Sequence, residues 1–514
     1  MTTRRLTALL VLFSAVFGLA VVAAFGSGSA SAGAGDRAKG AVAVPADALA
    51  YASVSLDRGG APFRALEGLA AKVDGGDAAV KQLDAMLGGS SQQAEMVRAL
   101  GGDVSVGLVG VDLASAASGG MPQASAVIVA TAADGATLPG VLQKAGFAAG
   151  PALDGHPVWE RDAMAVTVDG STAIGATSRA TLADALAVRA GQQPALADDP
   201  AFQATIAKLP GNALAVAYLA PARFAGLLQA AGGLLPKQAL PKGAPDPTQA
   251  LAQLGRDLAD VRGLGIAVTA ESGGLRVVAA GDADKAALER LGTRFPTAYA
   301  PGIVDRVPAD ALGFAAFRDL GPTLLAGVRA AQAQDPQVAD LVAAVEKQTG
   351  VTIEGLAGAL GGEHAVYAVG GAQPGATLLT QPQDASGANM QLSNALAAAR
   401  DLAKGLPMGG DKGAKRPDLG AIGLEQDGGT LAIGTLPGAA KAPAASIARS
   451  EAYQALRTRA GVPDQVTGLA YVDAAQLRAQ AAARGAAIMP AAKAVGGAIA
   501  WGTDSGAELF IAIG

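Results

Sequence analysis

The stretch Val44-Pro45-Ala46-Asp47-Ala48-Leu49 decides how this chain is read, because it returns letter for letter as Val307-Pro308-Ala309-Asp310-Ala311-Leu312. The copies stand 263 residues apart in a chain of 514, with Tyr51 and Phe314 at the same register behind them. Other pairs follow in the same order. Ala99-Leu100-Gly101-Gly102-Asp103 matches Ala359-Leu360-Gly361-Gly362-Glu363, and Ala173-Ile174-Gly175 matches Ala432-Ile433-Gly434. Leu209-Pro210 leads to Ala217-Tyr218-Leu219 as Val462-Pro463 leads to Ala470-Tyr471-Val472. The offsets drift from 263 through 260 and 259 to 253, as they would if small deletions accumulated. Ordered matches at a long, nearly constant spacing are the mark of a repeated unit.

Local patterns agree with that frame. An opening strand over 48–56 puts Leu49 and Tyr51 on one face and Ala50, Ala52 and Val54 on the other. Helices are expected over 63–73, 78–87 and 92–100, and again over 323–331, 336–348 and 353–360. The last of each set ends in Gly-Gly, where glycine supplies a left-handed cap. Alternating strands follow at 104–109 and 364–369. Next come a strand and helix over 126–131 and 138–144, with 377–380 and 392–403 as counterparts. Asp169-Gly170 and Asp427-Gly428-Gly429 sit between strand patterns as hairpin turns, and closing hairpins turn at 272–274 and 505–506. The expected fold class is α+β: internally duplicated, mainly antiparallel sheets with Ala-rich helices packed on them, preceded by an N-terminal apolar export or anchor helix. The expected division is 1–40 signal peptide or membrane anchor, 41–297 first repeat and 298–514 second repeat.

The N-terminus carries an address. Arg4 and Arg5 precede twenty uncharged residues, 6–25, and Ala30-Ser31-Ala32 offers an A-x-A-like cleavage site. The apolar run is long enough to span a bilayer, so it serves either as a cleaved signal or as a retained anchor. Both put the body outside the cytoplasm, at the cell membrane or secreted. Residues 36–43 are expected to be a polar exit from that segment. The mean hydropathy of +0.32 does not require a second span. The apolar stretch 104–133 is broken by Pro122 and Gln123 and reads as two strands.

Composition excludes several functions. Net charge is −5, which argues against nucleic acid as a partner, since phosphates need a basic face. The absence of cysteine removes thiol catalysis, zinc-thiolate sites and iron–sulfur clusters together. No nucleophile elbow, zincin helix, Walker loop or EF-hand spacing is present. Gly409-Gly410-Asp411-Lys412-Gly413 lacks the spacing of a phosphate loop, and Gly263-Leu264-Gly265 lacks the third glycine of a dinucleotide fingerprint.

The remaining candidates are few. His156 and His364 are the two histidines, at non-equivalent places in the repeat, and His364 reads as a strand residue facing a helix edge or solvent. The recurrent carboxylates Asp47/Asp310 and Asp103/Glu363 could hold a cation. A turn-forming Asp bonding its own backbone explains the first pair more simply. Trp159 and Trp501 are isolated. No catalytic, metal-ligating or cofactor-binding residue is assigned, no cofactor is expected, and the binding residues are left open.

An apolar export segment, a V-P-A-D-A-x-x-Y/F strand, helices, and an L-G-G-[DE] turn into an alternating strand resemble the bacterial family catalogued as domain of unknown function 3352. The resemblance implies an envelope-associated protein without an assigned activity. It would cover nearly all of the exported part, and it brings no catalytic residues. The preferred reading is therefore a non-enzymatic extracytoplasmic protein, membrane-associated through its N-terminal segment, that holds an apolar ligand or an envelope partner. The alternative is a hydrolase with an unrecognised site near His156 or His364.

Overall fold

The computed structural model describes residues 35–57, 59–73, 95, 99, 102–112, 123–132, 135–234, 256, 259–290, 297–334, 336–371, 374–405, 421–485, 493–503 and 506–513. The apolar segment at 6–25, expected to serve export or anchoring, and the expected helices at 78–87 and 92–100 lie outside these residues, apart from 95 and 99. So do residues 235–255 and 406–420. Among the described residues no helix is long and apolar enough to cross a membrane. The chain forms two compact units. One runs to Asp284 and includes 506–509 and 513; the other runs from Lys285 and includes Phe510–Ala512. Both mix helices with antiparallel sheet, as an α+β protein should.

In the first unit β1 (Ala50–Ser55) lies between β2 (Asp103–Asp112) and β8 (Ala215–Leu219). Beyond β2 come β3 (Gln123–Thr131), β7 (Thr172–Ala176) and β6 (Met164–Asp169). The edge is a hairpin of β4 (Ala148–Leu153) and β5 (His156–Arg161), which β5 joins to β6. On the other side β8 pairs with β9 (Val261–Glu271), and β9 with β10 (Gly274–Ala283). The β4–β5 hairpin has no counterpart in the expected pattern. Its turn uses Asp154 and Gly155, both at positive φ.

The second unit pairs its strands in the same order. Here β11 (Ala311–Arg318) lies between β12 (Glu363–Val369) and β16 (Gly468–Asp473). Next to β12 come β13 (Gly375–Gln381), β15 (Thr430–Gly434) and β14 (Gly423–Asp427), and next to β16 comes β17 (Val495–Thr503). The expected Asp-Gly hairpins are the turns of β6–β7 and β14–β15, with Gly170 and Gly428 at φ 59° and 54°.

The repeated hexapeptide does the same work in each unit. The Val44 carbonyl accepts from Leu196 N–H at 2.8 Å, and the Val307 carbonyl from Ile447 N–H at 2.9 Å. Each turn closes on its own proline, Ala48 N–H to Pro45 and Ala311 N–H to Pro308. The segment thus reached leads into a helix that begins on an N-cap side chain. Asp199 caps α4 (Pro200–Ile206) and Ser450 caps α11 (Glu451–Ala460), each accepting from the N–H three residues on. That N–H belongs to an aromatic residue, which the first turn then buries: Phe202 at 2 % exposure, Tyr453 likewise at 2 %. Phe202 meets Tyr51 and Tyr218 edge to face at 5.5 and 5.0 Å, and Tyr453 meets Phe314 and Tyr471 at 5.7 and 5.3 Å. These three-ring clusters centre the two cores.

The rest of the helical layer differs. In the first unit α1 (Ala61–Ala70), α2 (Leu138–Lys144), α3 (Arg179–Arg189) and α5 (Pro221–Leu234) are the described helices besides α4. In the second, the short α6 (Lys285–Arg290) precedes longer helices: α7 (Leu320–Gln334), α8 (Pro336–Thr349), α9 (Ile353–Ala359) and α10 (Ala385–Gly405), with α12 (Ala474–Ala483) after β16. The expected helix at 323–331 begins three residues early, at Leu320. The stretch expected to be a polar exit is a 3₁₀ helix, Gly35–Ala43. Ala41, Ala43 and Val44 are wholly buried. A Cβ on Gly40 would lie 2.4 Å from Ser105 Oγ and one on Gly107 2.5 Å from the Val44 side chain, so close packing against β2 holds this segment in the fold.

Candidate ligand groove

The two histidines stand at different places in the fold. His156 opens β5 opposite Leu153 in the edge hairpin. His364 is buried rather than facing solvent: 0 % exposed, stacked on Phe317 at 5.5 Å, with its Nε2 2.8 Å from the Leu360 carbonyl at the end of α9. Its Nδ1 has no hydrogen-bond partner among the described residues. Burial holds the imidazole below its ordinary pKa of 6.5, so the ring is neutral. Neither histidine is ion-paired with a carboxylate among the described residues.

Of the recurrent carboxylates, Glu363 serves the backbone. Glu363 Oε2 accepts from Ile303 N–H at 2.9 Å, at the start of the 3₁₀ turn Gly302–Arg306. Asp47 and Asp310 do not close their turns, since the backbone bonds above do that. Among the described residues no group of three or more His, Asp or Glu is placed to hold a metal ion. Gly263 and Gly265 admit α4 to β9: a Cβ there would fall 2.4 and 2.7 Å from Thr205. Trp159 and Trp501 are buried, one in each unit.

What the fold does assemble is a groove of about 580 Å³ in the second unit. It forms where β11 hands over to α7 beside the end of α9. Asp319 makes that handover with φ of 58°, a left-handed conformation that Asp tolerates better than most residues. Its N–H donates to Gly362 O at 3.1 Å, and its carbonyl accepts from Thr323. Two residues on, Gly321 N–H donates to Leu360 O at 2.7 Å. A Cβ on Gly321 would stand 1.8 Å from Ala357 O. Only glycine lets the two helices meet this closely.

Pro322, Leu325 and Ala326 of α7 and Ala357 of α9 form the apolar wall. Asp319, Arg329, Glu354 and Gln383 supply the polar lining. Arg329 donates to Glu354 Oε1 at 3.2 Å, with both side chains more than half exposed. The Asp319 side chain has no hydrogen bond or ion pair among the described residues. Sequence reading missed this set because its members come from three separated segments. One local signal existed, the Asp319-Leu320-Gly321-Pro322 turn directly after a strand pattern.

Comparison with known proteins places the chain. A family model described as "Protein of unknown function (DUF3352)" matches residues 147–403, half of the chain. This chain belongs to that family. The match starts within the first unit and ends within α10, a narrower extent than the resemblance in sequence implied. It contains the second V-P-A-D-A-L and L-G-G-E motifs but not the first copies. It also contains the whole groove. None of the curated proteins compared with it matches. Among solved structures it is similar to crystal form III of TP0453 at 10 % identity, TM-score 0.24, covering 50 % of this chain and 86 % of that one. Crystal form I gives 9 % identity and TM-score 0.24 over 48 % and 78 %. Likeness at that score carries nothing further for fold or function.

Proposed function

We propose that this protein is an extracytoplasmic, non-enzymatic binding protein whose second unit holds a small molecule with an apolar body in the α7–α9 groove. The groove itself carries the reading: in an open site of about 580 Å³ an apolar wall meets a few convergent polar groups. Supporting it, seven of the nine large exposed hydrophobics among the described residues belong to the second unit, Leu324 of α7 and Leu341 of α8 among them. The basic, apolar and A-x-A pattern at the N-terminus supports export, with the body anchored or released at the cell envelope. We also propose that the two units are copies of one module, supported by the shared strand order, the equivalent hexapeptide bonds and the matching ring clusters.

Native mass spectrometry of the full chain, purified from its own cells, tests the binding reading. The wild type should carry a small molecule, and Ala326→Trp, which fills the groove, should lose it while remaining folded. A bound species unaffected by that substitution, or none on the folded wild type, overturns the reading. Protease added to intact cells should cut the body; full protection would remove the extracytoplasmic placement.

A further inference from the structure

We infer that the groove selects an amphiphilic cation: a primary ammonium group on a hydrocarbon body, with the ammonium on Asp319. This rests on the binding reading above and names its ligand class. The charges decide it. The groove is lined by two carboxylates and one guanidinium. Arg329 is engaged with Glu354 at 3.2 Å, so that pair cancels at the mouth and Asp319 is left as the uncompensated charge. The start of α7 at Leu320 puts a helix N-terminus at the same corner, worth about half a positive charge. That is less than the full negative charge of the carboxylate. One of the N–H groups there, that of Gly321, is already committed to Leu360 O. The lining at this corner therefore stays net negative, the neighbouring Arg318 being placed over the Tyr299 ring at 5.7 Å rather than in the groove, and an anionic ligand would meet it at a disadvantage.

The backbone explains why a carboxylate is held there unpaired. Asp319 is fixed at φ 58° by its N–H bond to Gly362 and by its carbonyl bonds to Thr323. Neither contact uses the side chain, so the carboxylate is not consumed in capping the helix it precedes. The apolar wall then fits the second half of the ligand. Pro322, Leu325, Ala326 and Ala357 offer a hydrocarbon surface beside the carboxylate, and each methylene laid on such a surface adds to the affinity. An ammonium alone would gain little from so open a site, and a hydrocarbon alone would leave Asp319 without a partner.

Calorimetric titration of the full chain with n-hexylamine, n-hexanol and hexanoate at pH 7 tests this. Hexylamine should bind about tenfold tighter than hexanol, a difference of about 1.4 kcal/mol, and hexanoate should bind most weakly. Asp319→Asn, which keeps a residue tolerant of the left-handed region, should bring hexylamine down to the level of hexanol. Asp319→Gly, free of strain at that φ, should do the same, so a folding defect in one variant does not mask the result. Equal binding of amine and alcohol to the wild type, or undiminished amine binding by both variants, overturns the ammonium inference and leaves the groove as a site for neutral apolar molecules. If no probe binds but native mass spectrometry still shows an Ala326→Trp-sensitive ligand, the ligand class alone is wrong. If neither experiment shows binding, both readings fall.

Discussion

In the first unit one of the two rings that meet Phe202 is Tyr51, whose hydroxyl donates to Ser105 Oγ at 2.9 Å, and Ser105 donates on to Ser53 at 3.1 Å. In the second, Phe314 stands at that position and the cluster is completed by Tyr453 and Tyr471. Burial pushes the Tyr51 phenol up to about 12. The buried hydroxyl is tolerated because serines on two strands satisfy it. The second glycines of the two Leu-Gly-Gly-[Asp/Glu] motifs differ too. Gly362 has φ of 94°, and a Cβ there would lie 2.2 Å from Gln381 O. Gly102 is not at positive φ, and a Cβ would meet only the Thr131 side chain, at 2.9 Å. Equivalent sequence thus secures equivalent position while the physical reason for one residue changes. A backbone contact cannot yield, whereas a threonine side chain can shift.

Each unit contains one tryptophan, Trp159 or Trp501, so single-tryptophan variants follow the unfolding of each unit separately in urea. The largest effects belong to the shared feature. Phe202→Ala should cost the first unit about 3–5 kcal/mol and Tyr453→Ala the second unit about the same. A loss under about 1 kcal/mol in either unit would break the equivalence of the ring clusters. The glycines sharpen the contrast. Gly362→Val should cost more than about 3 kcal/mol through backbone strain and clash, and Gly102→Val about 1–2 kcal/mol through overpacking alone. Equal losses would mean that the left-handed conformation at Gly362 matters little.

Tyr51→Phe places the second unit's residue in the first. Losing the hydroxyl should cost about 1 kcal/mol, and adding Ser105→Ala should recover part of it by removing the orphaned partner. The smallest effect concerns pH and is confined to the second unit. His364 is held neutral, with its folded pKa below 6.5. Its contribution is complete above pH 6.5 and declines as pH falls from there toward the folded pKa, where only the unfolded chain readily takes up the proton. Trp501 fluorescence should show the second unit losing stability over that interval, and His364→Gln should flatten the slope. An unchanged slope would assign the acid sensitivity elsewhere.

The hexapeptide, the glycine turns and the alternating strands were legible in the sequence because each is governed by neighbours a few residues away. Proline fixes the turn, Asp-Gly takes positive φ, and alternation follows the pleat. The order of repeated motifs carried the plan of both sheets for the same reason. The fate of His364 was not legible: an alternating strand shows which residues share a face, not that Phe317 and the end of α9 close over this one. The β4–β5 hairpin also escaped, its Pro- and Gly-containing strands giving a weak pattern. The groove depended wholly on tertiary structure. Asp319 and Gly358 are far apart along the chain, and they line one groove because Gly321 lets α7 settle against the Ala357 carbonyl. Local propensity encodes the elements, but which charges are left unpaired is decided only when close packing has brought distant elements together.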